Sequence, residues 1–137
     1  MKYYLIICLA FCFFSCKKQE KKDTEFIMHK QSEMAALMNT MYYVNLDIKE
    51  KIIKNQAIGY FPERFLKIHS ATLTEPNDRT ESFEQFSNEY IRNMKIVFED
   101  DKHTQKENFN TAINSCITCH KTTCTGPIPR IQKLLIK

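Results

Sequence analysis

From its start the chain is apolar almost without interruption from Tyr3 to Phe14, and it turns polar at Lys17-Lys18-Gln19-Glu20-Lys21-Lys22-Asp23. Beyond that the apolar residues recur at helical spacing. Ile27, Met34, Leu37, Met38, Met41, Val44, Ile48 and Ile52 mark the inner face of a first helical region from about Thr24 to Lys54. A break near Asn45 is expected there, because Asp47-Ile48-Lys49-Glu50 again reads as a helix start. The stretch from Asn55 to Gly59 ends the region. Pro62 stands at the first position of a short helix carrying Phe65, Leu66 and Ile68, and Thr74 to Asp78 reads as a turn.

Two further helices are predicted. Phe83, Phe86, Tyr90, Ile91, Met94, Val97 and Phe98 form the inner stripe of one, with Asp78 and Glu81 as its cap. In the other, Thr104 and Glu107 form a capping box. Phe109, Ala112, Ile113, Cys116, Ile117 and His120 then follow on one face, and Gly126-Pro127 prevents continuation. With two glycines, four prolines and no convincing strand pattern, the fold class expected is all-α, an antiparallel four-helix bundle.

The beginning of the chain bears on location. Met1-Lys2, the apolar run and Ser15 make a secretory signal peptide over residues 1–15, too short to span a bilayer. Phe13-Phe14-Ser15-Cys16 resembles a relaxed bacterial lipobox, which is cleaved before a Cys that then carries acyl chains. Ordinary cleavage with Cys16 left as a free thiol, and an uncleaved anchor, are the alternatives. Residues 16–24 read as the lipidated Cys and a flexible tether, and 25–137 as the folded domain. The expected place is the cell envelope, as a membrane-anchored lipoprotein facing the periplasm, with the membrane reached through the lipid.

The formal charge of +4 changes the picture little. Taking away Lys2 leaves +3, and removing the four lysines and two acids of residues 16–24 leaves +1. A nearly neutral domain gives no argument for nucleic acid. With only Gly59 and Gly126, no glycine-rich phosphate loop is available. No Ser/His/Asp arrangement stands out, so an enzyme is not expected.

The chemistry concentrates in Cys116-Ile117-Thr118-Cys119-His120, the C-x-x-C-H signature of c-type haem attachment. Two thiols three residues apart share one face of a helical turn and can add to the two vinyl groups on one porphyrin edge. His120 then serves as the proximal iron ligand. One covalent haem c is therefore expected. Three rivals use the same residues: a redox dithiol, which calls for a βαβ context not visible here; a zinc site of Cys116, Cys119, His120 and Cys124; and incidental residues on a buried helix. Of the six cysteines, Cys8 and Cys12 leave with the signal peptide, Cys16 carries lipid and Cys116 and Cys119 carry haem. Cys124 remains as a thiol without a disulfide partner; burial is expected for it, with an exposed reactive thiol as the alternative.

A helical bundle with C-x-x-C-H on its last helix resembles the cytochrome c′ family, the class II cytochromes c, over roughly residues 25–121. The resemblance implies that the distal haem face meets a residue of the first helix, apolar in high-spin members and a ligating Met in low-spin ones. Met34, Met38 and Met41 are the candidates here. Met38 is favoured because Ala35, a turn earlier, would let a porphyrin approach; Met34 follows. Plastic core filling by all three is the alternative. His69 is a further axial candidate, whereas His29 and His103 read as surface residues. The family commonly carries a cation four residues after the haem His, where this chain has Cys124. Lys121 or Arg130 could replace it. The C-H-x-x-x-C-x-G-P arrangement suggests a divergent branch, and the tail Ile128–Leu135 is expected to pack back on the bundle.

Three functions follow as expectations. The first is a mono-haem cytochrome carrying single electrons to a redox partner protein of unknown identity. The second is a five-coordinate haem module binding small gases, nitric oxide or carbon monoxide. The third is a structural zinc lipoprotein. A homodimer is open for any of them.

Overall fold

The computed structural model of the chain describes residues 31–99 and 101–137. The signal peptide, Cys16, the tether, Ile27 and His29 lie outside the described residues. The described chain is all-helical. It has three long helices, α1 (Glu33–Ile53), α2 (Glu81–Glu99) and α3 (Gln105–Thr122), and a single-turn α4 (Ile128–Ile131). Three short 3₁₀ segments, Glu63–His69, Pro76–Asp78 and Gln132–Leu134, complete it.

Helix α1 starts where Ser32 accepts a hydrogen bond from the Ala35 N–H at 3.1 Å. Glu33 then accepts from the Thr72 N–H and hydroxyl at 3.0 and 2.9 Å, which pins the start of the helix to the following crossover. These two bonds hold the Glu33 carboxyl below its usual range. Asn55, at φ +53°, closes the helix. Its N–H reaches the Ile52 carbonyl and the Gln56 N–H reaches that of Lys51, a Schellman closure. No break occurs at Asn45. The helix runs through it, and its side chain turns inward to donate to the Tyr90 hydroxyl at 3.0 Å. That inward hydrogen bond gives the amide a tertiary partner in place of the local backbone bonds that favour a helix break.

The segment after Pro62 forms a 3₁₀ helix that buries Phe65 and Ile68 and leaves Leu66 at the surface. Arg79 ties the crossover down, donating to the His69 and Ala71 carbonyls at 2.9 and 2.7 Å and pairing with Glu84 at 3.0 Å. The start of α2 is capped by Thr80, whose hydroxyl accepts from the Phe83 N–H at 3.2 Å, and not by Asp78, which lies in the preceding 3₁₀ turn. Phe86 is only half-buried, and Ser87 takes the inner position instead, donating to the Glu84 carbonyl. At the start of α3 Thr104 is the N-cap residue, but its hydroxyl donates to the Asp101 carbonyl and makes no capping bond.

Helices α2 and α3 make the most extensive helix–helix contact. The Gln105 side chain donates to the Val97 carbonyl and Asn93 to the Ser115 hydroxyl, so the two run antiparallel. Helix α1 starts beside the 70–74 crossover and meets the middle of α2 at Tyr90, parallel to it. The core is built by Met34, Met41, Ile48, Phe65, Tyr90, Met94, Val97, Phe109 and Ile113.

The C-terminal segment does pack back. Ile131, Leu134 and Ile136 are buried. Lys49 donates to the Lys133 and Leu135 carbonyls at 2.7 and 2.9 Å, and Asn110 exchanges two hydrogen bonds with the Ile136 backbone. Asn110→Ala removes that pair and is expected to destabilise the domain by about 1–3 kcal/mol. Urea denaturation measures it, and a change below about 0.5 kcal/mol would mean that the tail contributes little.

Candidate functional site

Between α1, the end of α3 and the C-terminal segment lies a cavity of about 390 Å³, within the ~300–1,000 Å³ range of small-molecule and cofactor sites. Helix α3 contributes Cys116, Cys119 and His120 to its wall, and α1 contributes Met34, Ala35, Met38, Met41 and Asn45. Arg130 and Cys124 line it from the C-terminal side. The helical repeat explains both walls. Met34, Met38, Met41 and Asn45 stand at i, i+4, i+7 and i+11 of α1, and Cys116, Cys119, His120 and Thr123 follow at similar steps of α3.

The histidine is oriented from behind. His120 Nδ1 lies 2.8 Å from the Cys124 carbonyl oxygen, which can only accept. Nδ1 therefore carries the proton in the neutral ring, and Nε2 keeps a free lone pair. A metal-ligating histidine is usually held in this way. The bond exists because the chain leaves α3 in a turn, with the Cys124 N–H also reaching the His120 carbonyl at 3.2 Å.

As whole residues Cys116 and Cys119 are half-buried. Burial, reinforced by the neighbouring Cys119, pushes the Cys116 thiol up to about 12 from 9.0, and burial also raises that of Cys119. A redox dithiol works through a lowered thiol pKa, so the shifts run against that use. Cys124 is exposed, against the expectation of burial, because the turn at Thr123–Thr125 carries it past the end of α3. Among the described residues no group of three or more His, Cys, Asp or Glu side chains could hold a metal ion.

The raised thiols have a measurable consequence. In the haem-free chain, alkylation of Cys116 at neutral pH is expected to run roughly a thousandfold slower than at an unshifted thiol, and to accelerate as pH climbs towards 12. Peptide mapping after iodoacetamide treatment reads each cysteine separately. Equal rates at Cys116 and at exposed Cys124 at pH 7 would contradict the burial.

Arg130 is the cation of the cavity wall. It donates to Asn39 Oδ1 at 2.7 Å, and its guanidinium lies 3.9 Å from the Tyr42 ring centroid and 5.3 Å from that of Tyr43. Lys121 is exposed and does not line the cavity. His69 is not at the cavity either. Its Nδ1 lies 3.3 Å from the Ser87 hydroxyl and 3.5 Å from Glu84. His103 is exposed in the turn before α3.

One residue of this site, Asn45, escapes sequence reading, and behind it stands Tyr90, legible only as a core position. Asn45 is 2 % exposed, and its Oδ1 is the one buried side-chain oxygen or nitrogen among the described residues without a hydrogen-bond partner. Tyr90 is equally buried, and burial together with the nearby Cys116 holds its hydroxyl well above the usual phenol range. The available signal was the position of Asn45 four residues after Met41, on the apolar face itself. Among the described residues no helix is long and apolar enough to cross a membrane. Comparison with known proteins finds no matching family, no matching curated protein and no matching solved structure.

Proposed function

We propose that the chain is a mono-haem c-type cytochrome that carries single electrons, anchored at Cys16 and facing the periplasm. One observation carries the reading: the C-x-x-C-H residues Cys116, Cys119 and His120 line the same cavity as Met34 and Met38 of α1. The donor set fits a haem. It comprises two protonated thiols on one helical face, an imidazole with Nε2 free, thioether sulfurs on another helix, and a cation suited to a carboxylate. A bound haem would supply one-electron exchange between Fe(III) and Fe(II).

The chain's own residues would do the rest. Cys116 and Cys119 would hold the group covalently, each thiol able to add its S–H across one vinyl C=C, with the sulfur going to one carbon and the proton to the other. Cys124, through its carbonyl, aims the His120 ring. Met38, with Met34 second, offers a thioether from α1, and such a ligand raises the reduction potential. Arg130, held over Tyr42 and bonded to Asn39, would present its guanidinium to a propionate. The apolar wall limits water.

The four-helix architecture of the cytochromes c′ belongs to this proposal. It is supported by the antiparallel α2–α3 pair and by α1 running parallel to α2, with the short Glu63–His69 helix at the chain position of the remaining member. The lipid anchor rests on residues 13–16 of the sequence.

The distal ligand is tested by Met38→Leu and Met34→Leu in the haem-bearing protein. Sharp reduced bands that ignore carbon monoxide are expected for the parent. They should give way to a carbon monoxide-sensitive spectrum when the ligating Met is lost, with Met38 the expected position. If the parent already binds carbon monoxide, the open-site gas-binding function replaces electron carriage. If neither substitution changes a six-coordinate spectrum, the ligand is elsewhere. A chain that carries zinc and no haem would move the reading to a structural zinc lipoprotein.

A further inference from the structure

The cavity contains a polar feature that haem attachment does not use. Asn45 sits on the wall of α1, buried, between the apolar neighbours Met41 and Ile48. One end of its amide is taken, with Nδ2 3.0 Å from the Tyr90 hydroxyl. The other end, Oδ1, has no partner. Tyr90 is itself buried, packed on Phe65 with ring centroids 6.0 Å apart, so neither member of the pair faces solvent.

Exchanging the amide's oxygen and nitrogen does not remove the difficulty. As placed, the carbonyl oxygen lacks a donor. Exchanged, the Tyr90 hydroxyl can donate to Oδ1, but the amide's N–H groups are then left without an acceptor. In both arrangements one polar end of Asn45 is buried at the cavity and unmet. Buried polar groups in folded proteins are nearly always satisfied, by protein or by ordered water. A molecule that both donates and accepts meets either arrangement.

We propose that Asn45, backed by Tyr90, is a seat for one water-sized hydrogen-bonding molecule inside the cavity, at the Cys116 end. The seat takes water, or a small molecule of like size with both a donor and an acceptor. It makes polar one point of the stretch of wall formed by Met34, Met38, Met41 and Cys116. It does not depend on the cytochrome reading, because Asn45 and Tyr90 are in place whatever Cys116 and Cys119 carry.

The test is a high-resolution crystal structure of the mature protein, with a second structure of the double variant Asn45→Leu/Tyr90→Phe. An ordered solvent peak within about 3.2 Å of the Asn45 amide is expected in the parent and is expected to be absent from the variant. A parent in which the amide faces empty space, or is met by a protein or haem atom, overturns the seat. So does a variant that keeps the peak in the same place. Should the double variant fail to fold, Asn45→Leu alone replaces it with the same expected loss. The failure of the cytochrome reading is separately visible, as electron density without a haem, and leaves the seat to be judged on its own peak.

Discussion

Replacing Cys116 and Cys119 together by serine is expected to abolish covalent haem. Chain isolated from cells able to attach haem should keep none after denaturation and extraction. A thioether needs a sulfur, and a serine hydroxyl does not form one with a vinyl group under these conditions. Each single substitution should leave one attachment. Cys124→Ser provides the contrast. That residue also lines the cavity but is exposed at the turn beyond α3, and its contribution to His120 comes from the backbone carbonyl. That variant is therefore expected to carry haem like the parent. Retention of covalent haem by the double variant would overturn the assignment of both cysteines. Loss of haem from Cys124→Ser would mean that a third thiol takes part. The peptide-mapping experiment on the haem-free chain complements this, since Cys116 is expected to remain protonated far above neutral pH.

The second large effect is on stability. Phe109 is fully buried on α3, on the face that continues to Ile113, Cys116 and Ile117. Phe109→Ala is expected to destabilise the domain by about 3–5 kcal/mol, from lost burial and the void left behind. A domain of this size has a total stability of about 5–15 kcal/mol, so the variant approaches the limit of folding. Its melting temperature should fall by about 15–30 °C. Calorimetry of the mature protein measures it. A fall of less than about 5 °C would mean that the α2–α3 contact is not the main support of the core. The void lies further along the face that bears the cysteines, so the same variant should also loosen the cavity wall.

Much of this architecture is legible in the residues. The α3 face from Phe109 to His120 follows from periodicity alone, and Thr104 does stand at its N-cap position; the capping bond is absent, however, and the helix ends at Thr122, ahead of Gly126-Pro127. The 3₁₀ segment after Pro62 and the returning tail are equally readable, because apolar residues at short spacing must be buried somewhere. What escaped has a common cause: it depends on partners far away in the chain. Asp47-Ile48-Lys49-Glu50 reads as a second helix start, with a break near Asn45, until Tyr90 is known to receive the Asn45 amide inside one continuous helix. Asp78 and Glu81 read as the cap of α2, and only the backbone path of the Pro76–Asp78 turn gives that place to Thr80. Ser87 is polar by type, yet its hydroxyl is satisfied within its own helix turn, so it can be buried where Phe86 is not.

The candidate site divides in the same way. Cys116, Cys119 and His120 form a local motif and can be read directly. Met34 and Met38 can be named as first-helix candidates, but their sharing of a cavity with the motif is a tertiary fact. Arg130 was one of two cations under consideration. Its stacking on Tyr42 and its bond to Asn39, ninety-one residues away, distinguish it from Lys121. The exposure of Cys124 is not legible, because its neighbours in sequence say nothing of the turn that carries it outward. The same turn brings its carbonyl to His120.

The measurement that bears most directly on the central claim is the visible spectrum of the mature protein, made in cells able to attach haem, then denatured, extracted of free haem and reduced in alkaline pyridine. A sharp haem α band that stays with the denatured chain is the expected result. A chain without any haem band, prepared beside a known c-type cytochrome that retains its own, would contradict it.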